Sequence, residues 1–244
     1  MGESKVKKLK NLSVKIFADG AEKTWMLDMY AKPYIQGFTT NPSLMRQAGI
    51  KDYRMFAQDI LLKIKDKPIS FEIVSDAFDE MERQALEIAS WGDNVYVKVP
   101  VTNSKQQSSC SLIKRLASRE VKLNLTAIMT MKQVMDVSSC LDPHVPSYIS
   151  VFAGRIADTG QDPLPMMIEI ISHLKATRPL SKVIWASPRE LLNIFQANEI
   201  GCHAITVTQD ILKKLVLVDY DLEQYSLQTI QMFYNDAQAA GYHL

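Results

Sequence analysis

Short apolar runs with the period of a β-strand alternate along the chain with amphipathic segments of helical period. In one such run, residues 94–102 (NVYVKVPVT), alternate valines share one face while Tyr96 and Lys98 share the other. The run is rich in β-branched residues and is stopped by Pro100, so it predicts a buried strand. Lysine is almost never fully buried without a partner, so the position of Lys98 requires a specific reason.

The same periods predict eight strands and the helices between them. The predicted strands are Val14–Ala18, Ile35–Thr39, Ile69–Val74, Val95–Val99, Val121–Leu125, Tyr148–Phe152, Val183–Ala186 and His203–Thr206. The predicted helices include Phe78–Ser90, Ser108–Ala117, Lys132–Cys140, Pro163–Ala176, Glu190–Asn198, Gln209–Val216 and a last helix over about Leu222 to Ala240. Pro188 lies where a first-turn proline would begin a helix.

Strands that alternate with helices form parallel sheets through right-handed crossovers. Eight such units in 244 residues predict one α/β domain, a closed (β/α)₈ TIM barrel with a C-terminal helix. The alternative is an open doubly wound sheet, which usually carries a glycine-rich turn after its first strand. The turn here is Asp19-Gly20-Ala21, without a GxGxxG motif, which favours the barrel. Residues 1–12 are expected to be a polar N-terminal extension of the domain.

Composition limits the classes of partner. The 28 basic and 27 acidic residues nearly balance, so no broad electrostatic field favours nucleic acid or an anionic membrane. The basic cluster Lys5–Lys10 is expected to be a solvated tail. We expect no membrane span and no secretory segment, because no apolar run has the required length. Cys110, Cys140 and Cys202 are widely spaced without a CxxC pair, and are expected to be reduced thiols of a cytoplasmic protein.

Polar residues stand at or near the same end of nearly every predicted strand. They are Asp19, Thr39 and Thr40 with Asn41, Glu72, Lys98, Asn124 with Thr126, Ser150 followed by Arg155, and Ser187 with Arg189. In a barrel, catalytic groups collect at the carboxyl ends of the strands. The convergence of these side chains on one rim therefore predicts a functional site there.

Each of these residues, taken alone, also has an ordinary structural explanation. Asp19 and Asn41 are of types that cap helices. The two arginines could form surface ion pairs, and Asn124 and Thr126 could satisfy backbone groups. Glu72 and Lys98 could form a structural ion pair inside the barrel, although buried pairs add little net stability.

A lysine in a dry barrel interior has a specific chemical use. Desolvation disfavours the ammonium form, and a neutral amine can attack a ketone to form an imine. The protonated imine accepts electrons when an adjacent carbon–carbon bond breaks. This chemistry needs an acid or base beside the amine, for which Asp19 and Glu72 are candidates. The forked donors of Arg155 and Arg189 suit a phosphate on the substrate.

Other chemistries find less support in the sequence. His144, His173, His203 and His243 are scattered without metal-ligand spacing, so no metal site is predicted. His203 beside Cys202 fits core or helix packing better than a zinc site. There is no GxSxG motif for a serine nucleophile, and no bound organic cofactor is predicted.

Seven motifs, in order, resemble the transaldolase family. They are FADGA, GFTTNPSL, ISFEI, VYVKVPVT, KLNLTAI, YISVFAGRIADTG and VIWASPRE, and the resemblance runs from Ile16 to the last helix. It implies a (β/α)₈ barrel enzyme, a transferase of carbohydrate metabolism associated with the pentose phosphate pathway. Such an enzyme moves a dihydroxyacetone unit from a ketose phosphate to an aldose phosphate.

The resemblance also implies roles for individual residues. Lys98 takes the position of the Schiff-base lysine, and Asp19 that of the acid/base that removes the proton of the donor's C4 hydroxyl. Glu72 matches a carboxylate that works through a water, which Thr126 helps to place. The residues that match binding roles are Asn41, Asn124 and Ser150 for the three-carbon fragment, Thr40 and Phe152 beside them, and Arg155 and Arg189 for the phosphate.

Two further hypotheses stay open. Enzymes of the family similar to fructose-6-phosphate aldolase release free dihydroxyacetone, and they typically have glutamine in place of Glu72 and tyrosine in place of Phe152. With Glu72 and Phe152, this chain therefore resembles the family members that transfer the dihydroxyacetone unit. A barrel retained only to bind sugar phosphates would be indicated by loss of a principal rim residue, and none is lost.

Three positions depart from the family pattern. Residues 103–109 (NSKQQSS) are polar and lack the usual glycine-containing turn, and Pro188 stands where an apolar residue is usual. Gly20 follows Asp19 in place of a hydroxyl residue. The first two departures are expected to lie in loops over the active-site mouth and to affect the choice of acceptor sugar.

The C-terminal segment predicts a packing surface. Leu222, Tyr225, Ile230, Phe233 and Tyr234 lie among polar residues at roughly helical spacing. This surface fits packing on the helix's own barrel and packing on another copy equally well. Small members of the transaldolase family assemble through this helix, so the resemblance implies a homo-oligomer.

Overall fold

Eight parallel strands close into a barrel in the computed structural model, which describes residues 11–242. The strands are β1 (Lys15–Asp19), β2 (Ile35–Thr39), β3 (Ile69–Glu72), β4 (Val95–Pro100), β5 (Leu123–Ile128), β6 (Ser147–Val151), β7 (Ser181–Trp185) and β8 (Ala204–Thr208). They are hydrogen-bonded in sequence order, and β1 pairs with β8 to close the sheet. The predicted (β/α)₈ barrel is confirmed. The basic cluster Lys5–Lys10 and His243 lie outside the described residues.

Helices follow the strands and cover the outside of the barrel. They are α1 (Lys23–Tyr30), α2 (Pro42–Gln47), α3 (Tyr53–Leu61), α4 (Phe78–Ala89), α5 (Cys110–Ala117), α6 (Met131–Ser138), α7 (Ala153–Ala157), α8 (Leu164–Thr177), α9 (Leu192–Glu199), α10 (Gln209–Lys213) and α11 (Leu222–Ala240), with a 3₁₀ turn at Lys214–Leu217. Within residues 11–242, every helix is too short or too polar to cross a membrane.

The observed elements differ from the predicted ones mainly at their ends. β2 has its predicted bounds, whereas β3 ends at Glu72, before the predicted Val74, and β5 continues to Ile128. Helices α1, α2, α3 and α7 were not predicted. The helix start expected at Pro188 is wrong, because α9 begins at Leu192 and Pro188 lies buried in the loop after β7.

The barrel interior is apolar at its amino end and polar at its carboxyl end. Phe17, Tyr96, Tyr148, Ile184 and Ala204 pack together as an apolar plug. The ring centroids are 5.6 Å apart for Phe17 and Tyr148 and 4.5 Å apart for Tyr96 and Tyr148. Residues two positions apart on a strand point to the same face. The next inward layer therefore contains Asp19, Lys98, Ser150, Ala186 and Thr206.

The opposite face of each strand packs against the helices. On β4, Val95, Val97 and Val99 are all buried. Both faces of β4 are thus shielded from solvent, as is usual for a parallel barrel. Lys98 is on the inward face because the two-residue period that puts the valines under the helices turns its side chain into the barrel.

Helix α11 is separate from this core, since none of its residues is buried. Asp221 caps its start by accepting a hydrogen bond from the Gln224 N–H at 2.8 Å, and Gly241 ends it in the left-handed conformation, with φ 68°. Leu222 is 79% exposed and Phe233 is 63% exposed. Packing of this helix on its own barrel is therefore not observed.

Candidate active site

A cavity of about 620 Å³ opens at the carboxyl ends of the barrel strands. The predicted site residues that line it are Asp19, Asn41, Glu72, Lys98, Thr126, Ser150, Phe152, Arg155 and Arg189. Thr40 and Asn124 are fully buried and lie behind the cavity wall. The expected convergence on one rim is thus observed in the structure.

The Lys98 amine lies between two oxygen atoms from neighbouring strands. The pairing of β3 with β4 sets Glu72 beside Lys98, and the Lys98 Nζ lies 3.0 Å from Glu72 Oε2. The same nitrogen donates a hydrogen bond to the Thr40 carbonyl oxygen at 2.9 Å. The two side chains of the ion pair are 8% and 19% exposed, and both line the cavity.

This ion pair fits both explanations of Lys98. The carboxylate compensates the buried charge, as a structural pair would. The same carboxylate lies 3.0 Å from the Lys98 amine, close enough for the two groups to exchange a proton.

Asp19 ends β1 and faces the cavity beside a pair of threonines. The Thr39 hydroxyl donates to Asp19 Oδ1 at 2.7 Å and also contacts the Thr206 hydroxyl. Burial raises the pKa of Asp19, with Lys98 and the Thr39 hydrogen bond acting against this shift and Glu72 adding to it. The helix-cap explanation of Asp19 is wrong, since α1 takes its N-cap from another residue.

Asn124 connects three strands through its side chain. Its Nδ2 donates to Ser70 Oγ at 3.0 Å, and its Oδ1 accepts from Ser150 Oγ at 2.7 Å. Its partners are therefore side chains, and the idea that it satisfies backbone groups is not supported. Because Ser150 lines the cavity, Asn124 fixes the orientation of a cavity hydroxyl.

Two buried threonine hydroxyls have no hydrogen-bond partner among residues 11–242. They belong to Thr40 and Thr126. Thr126 lines the cavity at a point where the pairing of β5 with β6 shifts and Ala127 has φ 61°. Backbone strain of this kind is often found at functional sites. An unsatisfied hydroxyl beside the cavity can donate to or accept from a ligand or a water.

Asn41 both caps a helix and lines the cavity. Its Oδ1 accepts from the Leu44 N–H at 3.0 Å, which makes it the N-cap of α2, with Pro42 in the first turn. The helix-cap explanation of Asn41 is thus confirmed. Asn41 also lines the cavity, so a residue that caps α2 is part of the site wall.

A glycine brings the two arginine segments together. The Gly154 N–H donates to the Ala186 carbonyl oxygen at 3.5 Å, and a Cβ on Gly154 would lie 1.6 Å from the Ser187 carbonyl oxygen. Only glycine allows this approach between α7 and the loop after β7. As a result, Arg155 and Arg189 line the same cavity.

The two arginines have different neighbours. Arg189 forms a forked ion pair with Asp158, with 2.9 Å from Nε to Oδ1 and a second contact from Nη2 to Oδ2. The surface ion-pair explanation of Arg189 is therefore confirmed, beside its place on the cavity wall. The Arg155 guanidinium lies 5.8 Å from the centre of the Phe152 ring, within range of a cation–π contact.

The polar loop of residues 103–109 lies elsewhere. The Ser104 backbone N–H and hydroxyl donate to the Asp76 carboxylate at 2.7 and 2.6 Å, and Thr102 pairs with Ser108. None of residues 103–109 lines the cavity, so the expectation that this loop lies over the mouth is wrong. Pro188 does line the cavity, as expected.

Several site residues were missed from the sequence. Thr206, Thr208 and Asp210 line the cavity, Asp158 holds Arg189 on the cavity wall, and Ser70 accepts a hydrogen bond from Asn124 behind that wall. The pattern of β8, AITVT, offered a signal, because hydroxyl residues two positions apart share one face. Asp158 and Ser70 gave no signal, because their partners are set by the fold.

The prediction for His203 concerns packing, and a second prediction concerns metal binding. His203 Nδ1 accepts a hydrogen bond from the Val183 N–H at 3.2 Å, and burial lowers its pKa. This agrees with the predicted packing role. In the part of the chain that the structure describes, no group of three His, Cys, Asp or Glu side chains could hold a metal ion.

The fold and the cavity define a (β/α)₈ barrel protein with its site at the carboxyl ends of the strands, where barrel enzymes carry their active sites. A family model described as Transaldolase/Fructose-6-phosphate aldolase matches residues 16–244. The chain belongs to this family, so the resemblance carried by its motifs is confirmed.

Relatives of the chain agree with this assignment. It is 31% identical to a probable transaldolase of Dehalococcoides mccartyi, over 75% of this chain and 81% of that one. It is 30% identical to one of a Thermoanaerobacter species and 29% identical to one of Clostridium kluyveri, in each case over 87% of this chain and 95% of the relative.

Proposed function

We propose that the protein is a transaldolase that transfers a dihydroxyacetone unit from a ketose phosphate to an aldose phosphate through a Schiff base on Lys98. Fructose 6-phosphate and sedoheptulose 7-phosphate are the expected donors. The observation that carries the proposal is the Lys98 amine on the cavity wall, 3.0 Å from Glu72, in a cavity shared with Asp19 and two arginines. The relatives named probable transaldolase support it.

The first stage is formation of the imine. Lys98 passes a proton to Glu72, and the neutral amine attacks the C2 carbonyl of the ketose phosphate. A proton of the attacking nitrogen then moves to the former carbonyl oxygen, which becomes a hydroxyl. Glu72 then returns the proton to the departing hydroxyl, through a water held by Thr126, and the hydroxyl leaves as water. The unpartnered Thr126 hydroxyl on the cavity wall supports this role.

The second stage is cleavage and transfer. Asp19 takes the proton of the C4 hydroxyl, the electrons of the C3–C4 bond move into the iminium, and the aldose phosphate leaves. The enamine that remains attacks the aldehyde of the acceptor, and Asp19 returns its proton to the new hydroxyl. Hydrolysis of the iminium, with Glu72 as the acid/base, releases the product ketose phosphate. The raised pKa of Asp19 suits a group that both takes and gives a proton.

Binding of the substrate is assigned to the remaining wall. Asn41 and Ser150 line the cavity, which supports their assignment to the hydroxyls of the three-carbon fragment, and Asn124 contacts Ser150 from behind. Arg155 and Arg189 are assigned to the phosphate, for which guanidinium forks are well suited. Arg189 would exchange part of its contact with Asp158 for the phosphate oxygens.

Transfer is favoured over release of free dihydroxyacetone because Phe152 lines the cavity. A phenyl ring supplies no hydroxyl that could protonate the enamine or position water beside it. The enamine would then persist until an aldehyde acceptor arrives.

Turnover of fructose 6-phosphate with and without erythrose 4-phosphate tests this proposal. We expect fast formation of sedoheptulose 7-phosphate with the acceptor and little free dihydroxyacetone without it. Lys98→Met should abolish turnover, while Lys122→Met, which removes an exposed amine bound to the Asp93 carbonyl oxygen, should retain it. Equal dihydroxyacetone release without the acceptor would indicate an aldolase, and binding without turnover would indicate a sugar-phosphate binder.

A further inference from the structure

Two cysteines that are distant in sequence meet in the outer layer of the barrel. Cys110 is the first residue of α5, and Cys140 lies just after α6. The Cys110 Sγ lies 3.4 Å from the Asp136 carbonyl oxygen, and the Cys140 Sγ lies 3.2 Å from the same oxygen. Since both thiols contact one atom, their sulfurs are close neighbours.

The environments of the two thiols differ. Cys140 is 6% exposed, and burial, followed by the neighbouring Cys110 thiol, raises the pKa of Cys140 to about 11. Cys110 is half-buried and is the first residue of α5, so its sulfur is more accessible to a small oxidant than that of Cys140. Lys132 lies close enough to interact with Cys110, and Lys114 with Cys140, while Lys132 is also ion-paired with the Asp136 carboxylate.

Cys202, in contrast to this pair, is buried and has no neighbouring cysteine among the described residues. It is 2% exposed, and its thiol donates to the Val183 and Ala204 carbonyl oxygens at 3.5 and 3.3 Å. Burial raises the pKa of Cys202 to about 12. It is therefore an internal control for a thiol of the same chain that does not react.

We propose that Cys110 and Cys140 form an oxidative modification site, which a hydroperoxide converts into an intramolecular disulfide. The Cys110 thiolate attacks the peroxide, the O–O bond breaks, and the released alkoxide or hydroxide is protonated by solvent. The resulting sulfenic acid is attacked by the Cys140 sulfur, and the S–O bond breaks as the S–S bond forms. The Cys140 proton leaves with the hydroxyl as water, so two thiols give two electrons to one peroxide.

The geometry favours reaction of the Cys110 sulfenic acid with Cys140 over its further oxidation. A disulfide needs the sulfurs about 2.05 Å apart, so both thiols must leave the Asp136 carbonyl oxygen, which they contact at 3.4 and 3.2 Å. The bond would tie the first turn of α5 to the end of α6, outside the cavity. A nearby resolving cysteine is also the arrangement that protects an oxidised cysteine from irreversible steps.

Peptide mapping after hydrogen peroxide treatment tests the proposal on the reduced, full-length protein. Free thiols are alkylated after the reaction, and the digest is measured by mass spectrometry. We expect a linked Cys110–Cys140 peptide pair lighter by two hydrogen atoms, with Cys202 alkylated. In Cys140→Ser, Cys110 should instead reach sulfinic and sulfonic acid, with a several-fold higher yield than in the wild type.

Three results would overturn the inference. One is an equal yield of sulfinic acid at Cys110 in the wild type and in Cys140→Ser. Another is a disulfide that links two molecules through Cys110. The third is a Cys110 that stays fully alkylatable at peroxide concentrations that oxidise free cysteine.

Discussion

Single residues in this cavity hold charges where a folded protein normally avoids them. Lys98 and Glu72 form an ion pair with little access to solvent, and Asp19 lies in the same wall. Buried pairs add little net stability, and removing one partner leaves the other uncompensated. The arrangement is therefore better explained by chemistry than by stability.

Asp19→Asn is expected to stabilise the protein at neutral pH. Burial raises the pKa of Asp19 above 3.8, so the folded state keeps this proton to a higher pH than the unfolded chain. The contribution of Asp19 to stability is complete below 3.8 and is lost as the pH rises through the raised pKa. Thermal unfolding should thus give a higher Tm for the variant at pH 7, with the difference shrinking towards pH 3.5.

The same variant should lose activity. Asparagine cannot take the C4 hydroxyl proton, so we expect kcat to fall by about 10²–10⁴-fold. In the wild type, kcat/KM should decrease on the acidic side, as Asp19 becomes protonated through its raised pKa. Asp93→Asn, at an exposed aspartate, should change neither property. An Asp19→Asn protein with wild-type turnover would exclude Asp19 as the acid/base.

At the scale of elements, the absence of a side chain at Gly154 allows α7 to contact the loop after β7. Gly154→Ala would place a Cβ against the Ser187 carbonyl oxygen and push α7 away from the loop after β7. Overpacking of this kind typically costs about 1–3 kcal/mol. We expect a lower Tm and a KM for fructose 6-phosphate raised by about 10-fold or more, because the arginines on these segments separate.

Steady-state kinetics separate this effect from general damage. The KM for an unphosphorylated ketose, which cannot use the arginines, should change much less. Gly92→Ala is the matched control, since its Cβ would meet the Asn94 side chain, 3.2 Å away, at the other end of the barrel. Equal losses for both ketoses would show that Gly154 does not serve the phosphate site.

The predicted and observed elements differ for physical reasons. β2 was predicted with its observed bounds, and four of its five residues are buried. Helix α2 was missed because six residues are too few to show a period, although the Asn41-Pro42 signal was present. Helix α1 was missed because it buries only Trp25 and Met26, which is too little for an amphipathic pattern.

The sequence predicted which end of the barrel holds the site and which face of β4 carries Lys98. It did not predict most of the contacts between the site residues. Alternation along β4 indicated that Lys98 turns away from the valines, and the strand ends indicated the rim. The register that sets Glu72 beside Lys98 is a property of two strands together. The loop of residues 103–109 looked like a cover for the cavity, but Asp76 holds it elsewhere, and no local pattern encodes that contact.

At the scale of the whole molecule, α11 is the feature that the monomer leaves unexplained. Its apolar side chains, including Leu222, Ile230 and Phe233, are exposed. Exposed apolar patches of this kind commonly mark interfaces between proteins. We therefore retain the proposal of a homo-oligomer in which α11 contacts another copy.

Sedimentation of an α11 variant tests this proposal. Ile230→Glu with Phe233→Glu should convert the assembly to single chains, because charges in an apolar interface are strongly unfavourable. Gln231→Glu, at an exposed polar position of the same helix, should leave the assembly intact. A wild-type protein that sediments as a single chain at all concentrations would contradict the proposal.

The account depends most directly on the covalent role of Lys98. The decisive measurement is reduction with sodium borohydride in the presence of fructose 6-phosphate, followed by mass spectrometry of the peptides. The account predicts a reduced dihydroxyacetone adduct on Lys98, and its absence from Lys98→Met. An adduct on another lysine, or full turnover without any adduct, would contradict it.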